Sequence, residues 1–168
     1  MIGVFDSGLG GLSVVRRLRE VLPRHDVVYF ADQAHVPYGD RAEPELLGLL
    51  AQNLAFLQTQ GVNLIVTACN TSCAIADKYG WPAARVPVLD LIESAAIAVQ
   101  QSGAKHIGVV ATAATARSGT YARHIVARMP DAQVKESAAP ALVPLVEAGE
   151  TRGERAHAEV MLACSPLD

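Results

Sequence analysis

One stretch of the chain reads Asn63-Leu-Ile-Val-Thr-Ala-Cys-Asn-Thr-Ser-Cys73. Its hydrophobic first half predicts a buried β-strand over residues 63–68, and the polar cluster that follows predicts the start of a short helix. Cys69 is therefore expected between the end of a strand and the N-terminus of a helix. The helix dipole and the free backbone N–H groups at such a position favour a thiolate, so we expect the pKa of the Cys69 thiol to be lowered.

Short apolar runs of strand length alternate with longer segments of helical periodicity along the rest of the chain. Such alternation is typical of α/β proteins whose parallel sheet carries helices on both faces. Two segments depart from it: residues 113–117 are predicted to form a loop, and residues 138–149 a loop or a broken helix. The predicted strands are Ile2–Phe5, Asp26–Ala31, 63–68, Val86–Leu89, His106–Ala111 and a weaker Ala132–Lys135, and the predicted helices are Leu12–Leu22, Pro44–Gln60, Thr71–Tyr79, Ile92–Ser102, Ser118–Met129 and Gly153–Leu162.

The same alternation predicts two domains. Residues 1–92 are expected to form a nearly complete N-terminal α/β domain that carries Asp6, Tyr38 and Cys69. Residues 93–168 are expected to form a partial second α/β domain, because no strand follows the last predicted helix. An exposed apolar sheet edge would favour self-association, so a homodimer is a further expectation.

Composition indicates a globular protein of the cell interior. Of 168 residues, 51% are hydrophobic and 18% are charged, and the formal net charge is −3. No Lys/Arg cluster is strong enough to follow a phosphate backbone, so nucleic acid is not an expected ligand. The first residues resemble a strand rather than a signal peptide and no apolar run is long enough to span a membrane, so we expect no membrane partner and a cytoplasmic location. An odd count of three cysteines favours free thiols.

Asp6-Ser-Gly-Leu-Gly-Gly11 follows the first predicted strand, at the edge of a parallel sheet where ligands bind. A dinucleotide-binding turn is one alternative, but the spacing puts Ser13 where that motif has its third glycine, and the Asp6 carboxylate would repel a pyrophosphate. A helix cap formed by Asp6 and Ser7 is the second alternative. The third is a site for a small polar ligand that approaches the first helix through the glycine-rich turn.

Three further polar turns are predicted near strand ends. Cys69-Asn70-Thr71 offers a thiol, an amide and a hydroxyl, although a buried cysteine followed by ordinary capping residues has the same pattern. Pro37-Tyr38-Gly39 follows the second strand and could reach the same crevice. Thr112 and Thr115 open a hydroxyl-rich segment after the fifth strand, which could hold a carboxylate or simply start a helix.

A metal site is not supported, because no cysteine and histidine residues stand at ligand spacing. Cys73 lies one helical turn after Cys69 and is expected in the core. The five histidines show no paired spacing and are expected at the surface; they are His25, His35, His106, His124 and His157.

In this combination and order, the four turns resemble the glutamate racemase family within the aspartate/glutamate racemase superfamily. The resemblance covers essentially the whole chain and implies the family's α/β fold, a parallel-sheet sandwich. It also implies the interconversion of L- and D-glutamate, with D-glutamate supplied to peptidoglycan synthesis. The matching segments are Phe5-Asp-Ser-Gly-Leu-Gly-Gly-Leu12, Tyr29-Phe-Ala-Asp32, Val36-Pro-Tyr-Gly39, Cys69-Asn-Thr71 and Leu142-Val-Pro-Leu-Val-Glu-Ala-Gly149.

The resemblance further implies catalysis without a cofactor, in which two cysteines on opposite faces of the glutamate α-carbon remove and return a proton. Cys69 would be one of these acid/base residues. Asp6 would hold the substrate ammonium or tune the thiol, with Ser7 beside it. The remaining contacts to glutamate are expected from Pro37, Tyr38, Gly39, Asn70, Thr71, Thr112 and Thr115.

The chain departs from the family pattern at the second cysteine, which the family carries in a Cys-Thr-His motif. No such motif occurs in the 168 residues, and Cys164 is followed by Ser165-Pro166 after a helical segment, so we do not assign it this role. One expectation is therefore a truncated racemase with an incomplete site. The others are a relative that exchanges the α-proton on one face, and a non-catalytic module that binds an acidic amino acid or a partner chain.

Overall fold

A four-stranded parallel sheet forms the centre of the first of two units in the computed structural model, which describes residues 1–167. This unit comprises Met1–Leu91. Its strands are β1 (Ile2–Asp6), β2 (Val27–Ala31), β3 (Leu64–Thr67) and β4 (Val88–Asp90), and its helices are α1 (Leu12–Val21), α2 (Glu43–Thr59) and α3 (Asn70–Tyr79), with a 3-10 turn at Tyr38–Asp40. The strands lie in the order β2-β1-β3-β4 and all pair in parallel.

Helices cover both faces of this sheet, because side chains alternate between the faces along each strand. On one face, Phe5 and Ile65 belong to a core that also contains the apolar stripe of α2 and residues of α3. On the other face, Ile2 and Val4 pack against α1. The buried stripe on α2 comprises Leu46, Leu49, Leu50, Leu54 and Leu57. This packing fixes the strands and leaves their carboxyl ends to be shaped by the loops that follow them.

A two-stranded parallel sheet forms the centre of the second unit, which extends from Ile92 onward. Its strands are β5 (His106–Ala111) and β6 (Gln133–Ala138), paired in register from His106 opposite Gln133. The helices are α4 (Leu91–Ser102), α5 (Ala113–Ser118), α6 (Thr120–Arg128), α7 (Leu142–Glu147) and α8 (Glu154–Cys164), with a final 3-10 turn at Ser165–Leu167. The connection from β5 to β6 through two helices is the crossover that a parallel pair requires.

The predicted fold class, an α/β protein with parallel sheets, is confirmed. Every predicted strand and helix is present close to its predicted position. In residues 1–167, no helix is both long and apolar enough to cross a membrane.

Two local predictions in the second unit were wrong or incomplete. Residues 113–117, predicted to be a loop, belong to α5, because Thr112 Oγ1 accepts the Thr115 backbone N–H at 3.3 Å and the alanine-rich segment has a high helix propensity. Gly119 ends this helix with a φ of +62°, a conformation that favours glycine. Residues 142–147 form the short helix α7, which tolerates Pro144 because proline lies in its first turn.

The glycine-rich turn after β1 gives a stability prediction. A Cβ at Gly11 would lie 2.7 Å from Asp6 Cβ and 3.0 Å from the Tyr29 ring, so Gly11→Ala must displace one of them. We expect Gly11→Ala to lower the free energy of unfolding by about 1–3 kcal/mol in urea denaturation. Gly48→Ala is the matched control: a Cβ there meets nothing within 4 Å in α2, and we expect a gain of about 0.5–1 kcal/mol. Equal effects of the two substitutions would contradict the close packing at Gly11.

Candidate active site

The carboxyl ends of β1 and β3 lie where the strand order reverses direction. From β1, the chain adds β2 on one side of the sheet and then β3 and β4 on the other. In open parallel sheets, this switch point forms the crevice in which ligands bind. Phe5 of β1 pairs with Thr67 of β3, so the turns that begin at Asp6 and at Cys69 leave the sheet side by side.

The Cys69 thiol contacts the turn after β1. Its Sγ atom donates a hydrogen bond to Ser7 Oγ at 3.6 Å, and Cys69 itself is the N-cap residue of α3. Cys69 is 3% exposed and Asp6 is 7% exposed. The structure therefore brings a thiol, a hydroxyl and a carboxylate together at the switch point, as the sequence predicts for these three residues.

The Asp6 carboxylate holds the glycine-rich turn. Its Oδ2 atom accepts the backbone N–H of Gly11, the N-cap residue of α1, at 2.8 Å. This geometry speaks against the dinucleotide alternative, because a carboxylate occupies the N–H group at the helix start that a pyrophosphate would need. It also differs from an ordinary helix cap, since neither Asp6 nor Ser7 is the N-cap residue.

The pKa of the Cys69 thiol is raised, so the predicted lowering was wrong. Burial is the largest cause, and the negative charge of Asp6 is the second. The hydroxyl and backbone N–H of Ser72 and the hydroxyl of Ser7 lower the pKa of the thiol but do not reverse the shift. The helix N-terminus is present as predicted, but the local sequence does not reveal that the sulfur is removed from water beside a carboxylate. The resting residue is accordingly a protonated thiol near neutral pH.

Tyr38 is held by a buried hydrogen-bond network. Its hydroxyl donates to Asp32 Oδ2 at 2.5 Å and accepts from Asn53 Nδ2 at 2.9 Å. On the other side of the carboxylate, His35 Nδ1 lies 2.7 Å from Asp32 Oδ1. Burial alone would raise the pKa of Asp32, but the hydrogen bonds from Tyr38 and His35 outweigh it and the pKa is lowered. Burial and the Asp32 charge raise the pKa of Tyr38, so the hydroxyl keeps its proton.

This network limits what Tyr38 can offer a ligand. Because its single hydroxyl proton is donated to Asp32, the hydroxyl can only accept a further hydrogen bond. A ligand carboxylate at this turn would need N–H donors instead, and the first N–H groups of the 3-10 turn at Tyr38–Asp40 have no partner within that turn. The sequence alone does not show whether Tyr38 would contact a ligand through its hydroxyl or through its backbone N–H.

A sequence profile of the Asp/Glu/Hydantoin racemase family matches residues 2–167. The chain belongs to this family. Among curated relatives, the glutamate racemase of Desulforudis audaxviator (strain MP104C) is 46% identical over 167 residues, which are 99% of this chain and 61% of that protein. The glutamate racemase of Picosynechococcus sp. is 42% identical over 166 residues, with 99% and 59% of the two chains covered. The chain thus spans about 60% of the length of these curated relatives.

Solved racemase structures share the fold. Glutamate racemase from Francisella tularensis, solved in complex with D-glutamate, matches with a TM-score of 0.87 and 34% identity, covering 98% of this chain and 62% of that one. Glutamate racemase isoform RacE1 from Bacillus anthracis matches with a TM-score of 0.90 and 30% identity, covering 99% and 63%. The expected family resemblance is therefore confirmed in both sequence and structure.

Other predicted site residues of this racemase-family chain lie in the same unit as Cys69. Asn70 and Thr71 are the first two residues of α3 and follow the thiol directly. Gly39 is buried beside Tyr38, whereas Pro37 is exposed. Their contacts to a ligand stay predictions.

Thr112 and Thr115 lie in the second unit of the racemase-family chain. The Thr112 hydroxyl caps α5 and is 3.1 Å from the Thr115 hydroxyl. Thr115 is completely buried. These contacts match the helix-start alternative for this segment, and a carboxylate contact stays a prediction.

The remaining cysteines have different surroundings. Cys73 is fully buried and its Sγ donates to the Thr67 carbonyl at 3.5 Å, which agrees with the expected core position. Cys164 is the last residue of α8 in the second unit. Within residues 1–167, no group of three or more His, Cys, Asp or Glu side chains is arranged to hold a metal ion.

Two histidines differ from the predicted surface positions. His35 and His124 are only partly exposed, and each pairs with a carboxylate, His35 with Asp32 and His124 with Glu93 at 2.9 Å. The other three histidines are exposed. Sequence spacing misses the second pair because Glu93 and His124 lie on different helices.

Sequence reasoning also missed Asp32 and Asn53 as parts of the site. Asp32 follows β2 at the same sheet edge as Asp6, a signal comparable to the one that identifies Asp6. Asn53 lies two helical turns after Leu46 on the buried face of α2. A polar residue on an apolar stripe indicates a buried hydrogen-bond partner, and here that partner is Tyr38.

A cavity of about 670 Å³ lies elsewhere in the first unit. Val62 and Val86 place it at the amino ends of β3 and β4, whereas Asp6 and Cys69 lie at the carboxyl ends of the strands. Its lining consists of Ala55, Gln58, Thr59, Val62, Ala83, Ala84, Arg85 and Val86. None of the predicted site residues lines it.

Proposed function

We propose that this chain carries a glutamate racemase site in which Cys69 transfers the α-proton of glutamate without a cofactor. The observation that carries the proposal is the buried Cys69 thiol at the switch point, in contact with Ser7 and beside Asp6. The glutamate racemases that resemble the chain over nearly its whole length support it. In a site completed by a second acid/base group, the D-glutamate produced would supply peptidoglycan synthesis in the cytoplasm.

The proposed step moves one proton between carbon and sulfur. The Cys69 thiolate takes the α-proton, so the Cα–H bond breaks, an S–H bond forms and the electron pair stays on the substrate as a carbanion. Return of a proton from the thiol reverses the step. The raised pKa suits this chemistry, because a thiolate with a higher pKa is the stronger base toward a weakly acidic C–H group.

Asp6 gives the substrate a means of activating the thiol. After burial, its negative charge is the second cause that raises the pKa of Cys69. A bound substrate ammonium beside Asp6 would offset this charge and lower the pKa of the thiol, so the thiol would release its proton to solvent and the thiolate would form mainly when substrate is present. Asp6 would thus act as the ammonium partner and, together with burial of the sulfur, keep Cys69 protonated at rest.

The substrate carboxylates require hydrogen-bond donors around the thiol. We assign them to the backbone N–H groups of Tyr38 and Gly39 and to Asn70 and Thr71 at the start of α3. Donors fixed by secondary structure can also stabilise the carbanion without reorganising during the reaction.

Racemisation needs a second acid/base group on the opposite face of the α-carbon. The sequence of 168 residues contains no Cys-Thr-His motif, and Cys73 is enclosed in the core. We therefore expect the described residues to exchange the α-proton on one face of glutamate.

The experiment is incubation of the chain with each enantiomer of glutamate in deuterated water, followed by mass spectrometry and chiral separation. We expect deuterium uptake at Cα of one enantiomer with the starting configuration retained. Saturable binding of glutamate without any deuterium uptake would contradict proton transfer and indicate a binding module. Full racemisation would show that a second acid/base group is present among these residues.

A further inference from the structure

Ser72 carries a buried hydroxyl that the proposed function leaves unexplained. The residue is 1% exposed, and its Oγ atom has no partner of ordinary hydrogen-bond geometry. Burying a hydroxyl without a partner is unfavourable, and most buried polar side chains in folded proteins are satisfied. A hydroxyl kept at this position therefore suggests a state of the protein in which it does have a partner.

The helix geometry identifies that partner. Cys69 is the N-cap of α3 and Ser72 is its third residue. At the start of a helix these two positions face each other, which is why N-cap side chains bond to the third residue and the third residue reaches back to the N-cap. The Ser72 side chain thus lies on the side of α3 that carries the Cys69 sulfur.

We propose that Ser72 is a positioning residue whose hydroxyl donates to the Cys69 sulfur when that sulfur is a thiolate. In the resting state the thiol donates a hydrogen bond to Ser7 Oγ. An uncharged sulfur is a weak acceptor, so a donor from Ser72 would add little in this state. After deprotonation the sulfur can only accept, and rotation of the Ser72 hydroxyl supplies a charge-assisted hydrogen bond. The hydrogen bond from Ser72 thus forms when Cys69 is the thiolate that removes the proton.

The electrostatic surroundings of the sulfur agree with this role. Burial and Asp6 raise the pKa of the Cys69 thiol, while the hydroxyl and backbone N–H of Ser72 and the hydroxyl of Ser7 lower it. Tyr38 is another titratable neighbour, and its pKa is raised by burial and by Asp32, with the charge of Cys69 as a smaller cause. Ser72 is therefore one of a few neutral groups that favour the thiolate against burial and the charge of Asp6.

The inference rests on the proposed function for its catalytic meaning, but it can be tested without turnover. The readout is the rate at which iodoacetamide alkylates Cys69, measured from pH 6 to 10 by mass spectrometry that separates Cys69 from Cys73 by fragment ions. We expect Ser72→Ala to slow alkylation of Cys69 by roughly tenfold near neutral pH, which corresponds to about one unit in thiol pKa. The pH profile should move upward by the same amount.

Thr67→Val is the matched control. Thr67 is completely buried and its Oγ1 atom also has no hydrogen-bond partner, but it ends β3 rather than starting α3. Both substitutions remove an unpartnered hydroxyl, so in urea denaturation both should leave the free energy of unfolding unchanged or raised. Only Ser72→Ala should shift the alkylation profile.

Several results would overturn the inference. These are an unshifted profile for Ser72→Ala, an equal shift for Thr67→Val, and a slower rate in Ser72→Ala that accompanies a loss of stability. The last result would indicate a structural role. The proposed function fails separately, if the wild-type chain takes up no deuterium into glutamate while the alkylation profile of Ser72→Ala still shifts.

Discussion

Cys69→Ala is expected to reduce deuterium uptake at the α-carbon of glutamate by roughly 10²–10⁴-fold, the usual contribution of a positioned acid/base group. The substitution removes the sulfur that contacts Ser7 at the switch point and leaves the carboxylate of Asp6 in place. Glutamate should still bind, because the proposed ammonium and carboxylate partners are unchanged. The measurement is the initial rate of α-deuteration at saturating glutamate, by mass spectrometry.

The other two cysteines provide the controls for this prediction. Cys73→Ala changes a fully buried thiol, and Cys164→Ser changes the last residue of α8, so neither should alter the rate of α-deuteration by more than about threefold. Undiminished uptake in Cys69→Ala would exclude Cys69 as the base. An equal loss in Cys164→Ser would point to a thiol that we have assigned no role.

Asp32→Ala is expected to destabilise the fold by about 2–4 kcal/mol in urea denaturation at pH 7. The substitution removes a buried carboxylate that accepts from the Tyr38 hydroxyl at 2.5 Å and lies 2.7 Å from His35 Nδ1. The Tyr38 hydroxyl would then be buried without its acceptor, and Asn53 alone cannot replace it, because Asn53 donates to that hydroxyl.

This effect should depend on pH in a defined direction. The pKa of Asp32 is lowered in the folded chain, so its contribution to stability is fully present above the pKa of an unfolded aspartate. The contribution is lost as the pH falls through the lower pKa of the folded state. The difference between wild type and Asp32→Ala should therefore shrink in acid. Asp40→Ala, at an exposed position two residues after Tyr38, is the control and should change stability little. A pH-independent difference for Asp32→Ala would contradict the network.

Much of the fold and part of the site could be predicted because the signals are local. Each strand is a short apolar run, and residues that directly follow β1 and β3 must emerge at one edge of a parallel sheet. The proximity of Asp6, Ser7 and Cys69 could be predicted in this way, while their roles stay predictions. The contact between Cys69 and Ser7 then follows from the pairing of β1 with β3, since Phe5 lies opposite Thr67.

The rest depends on neighbours that are distant in the sequence. The sign of the pKa shift at Cys69 was mispredicted because burial and the Asp6 charge outweigh the helix N-terminus, and both arise from packing. The role of the Tyr38 hydroxyl depends on Asp32 and Asn53, and Asn53 comes from another helix. The helix at 113–118 was missed because it has only six residues and depends on the Thr112 cap, which an apolar periodicity does not reveal.

The most direct test of the proposed site is a titration of the ¹⁵N-labelled chain with D-glutamate, followed by two-dimensional NMR. The amide signals of Ser7, Gly39 and Asn70 should shift together and saturate at one glutamate concentration, because these residues surround Cys69 in the proposed site. Unchanged signals at these residues would contradict the account. Shifts confined to the cavity around Ala84 and Arg85, at the amino ends of β3 and β4, would contradict it as well.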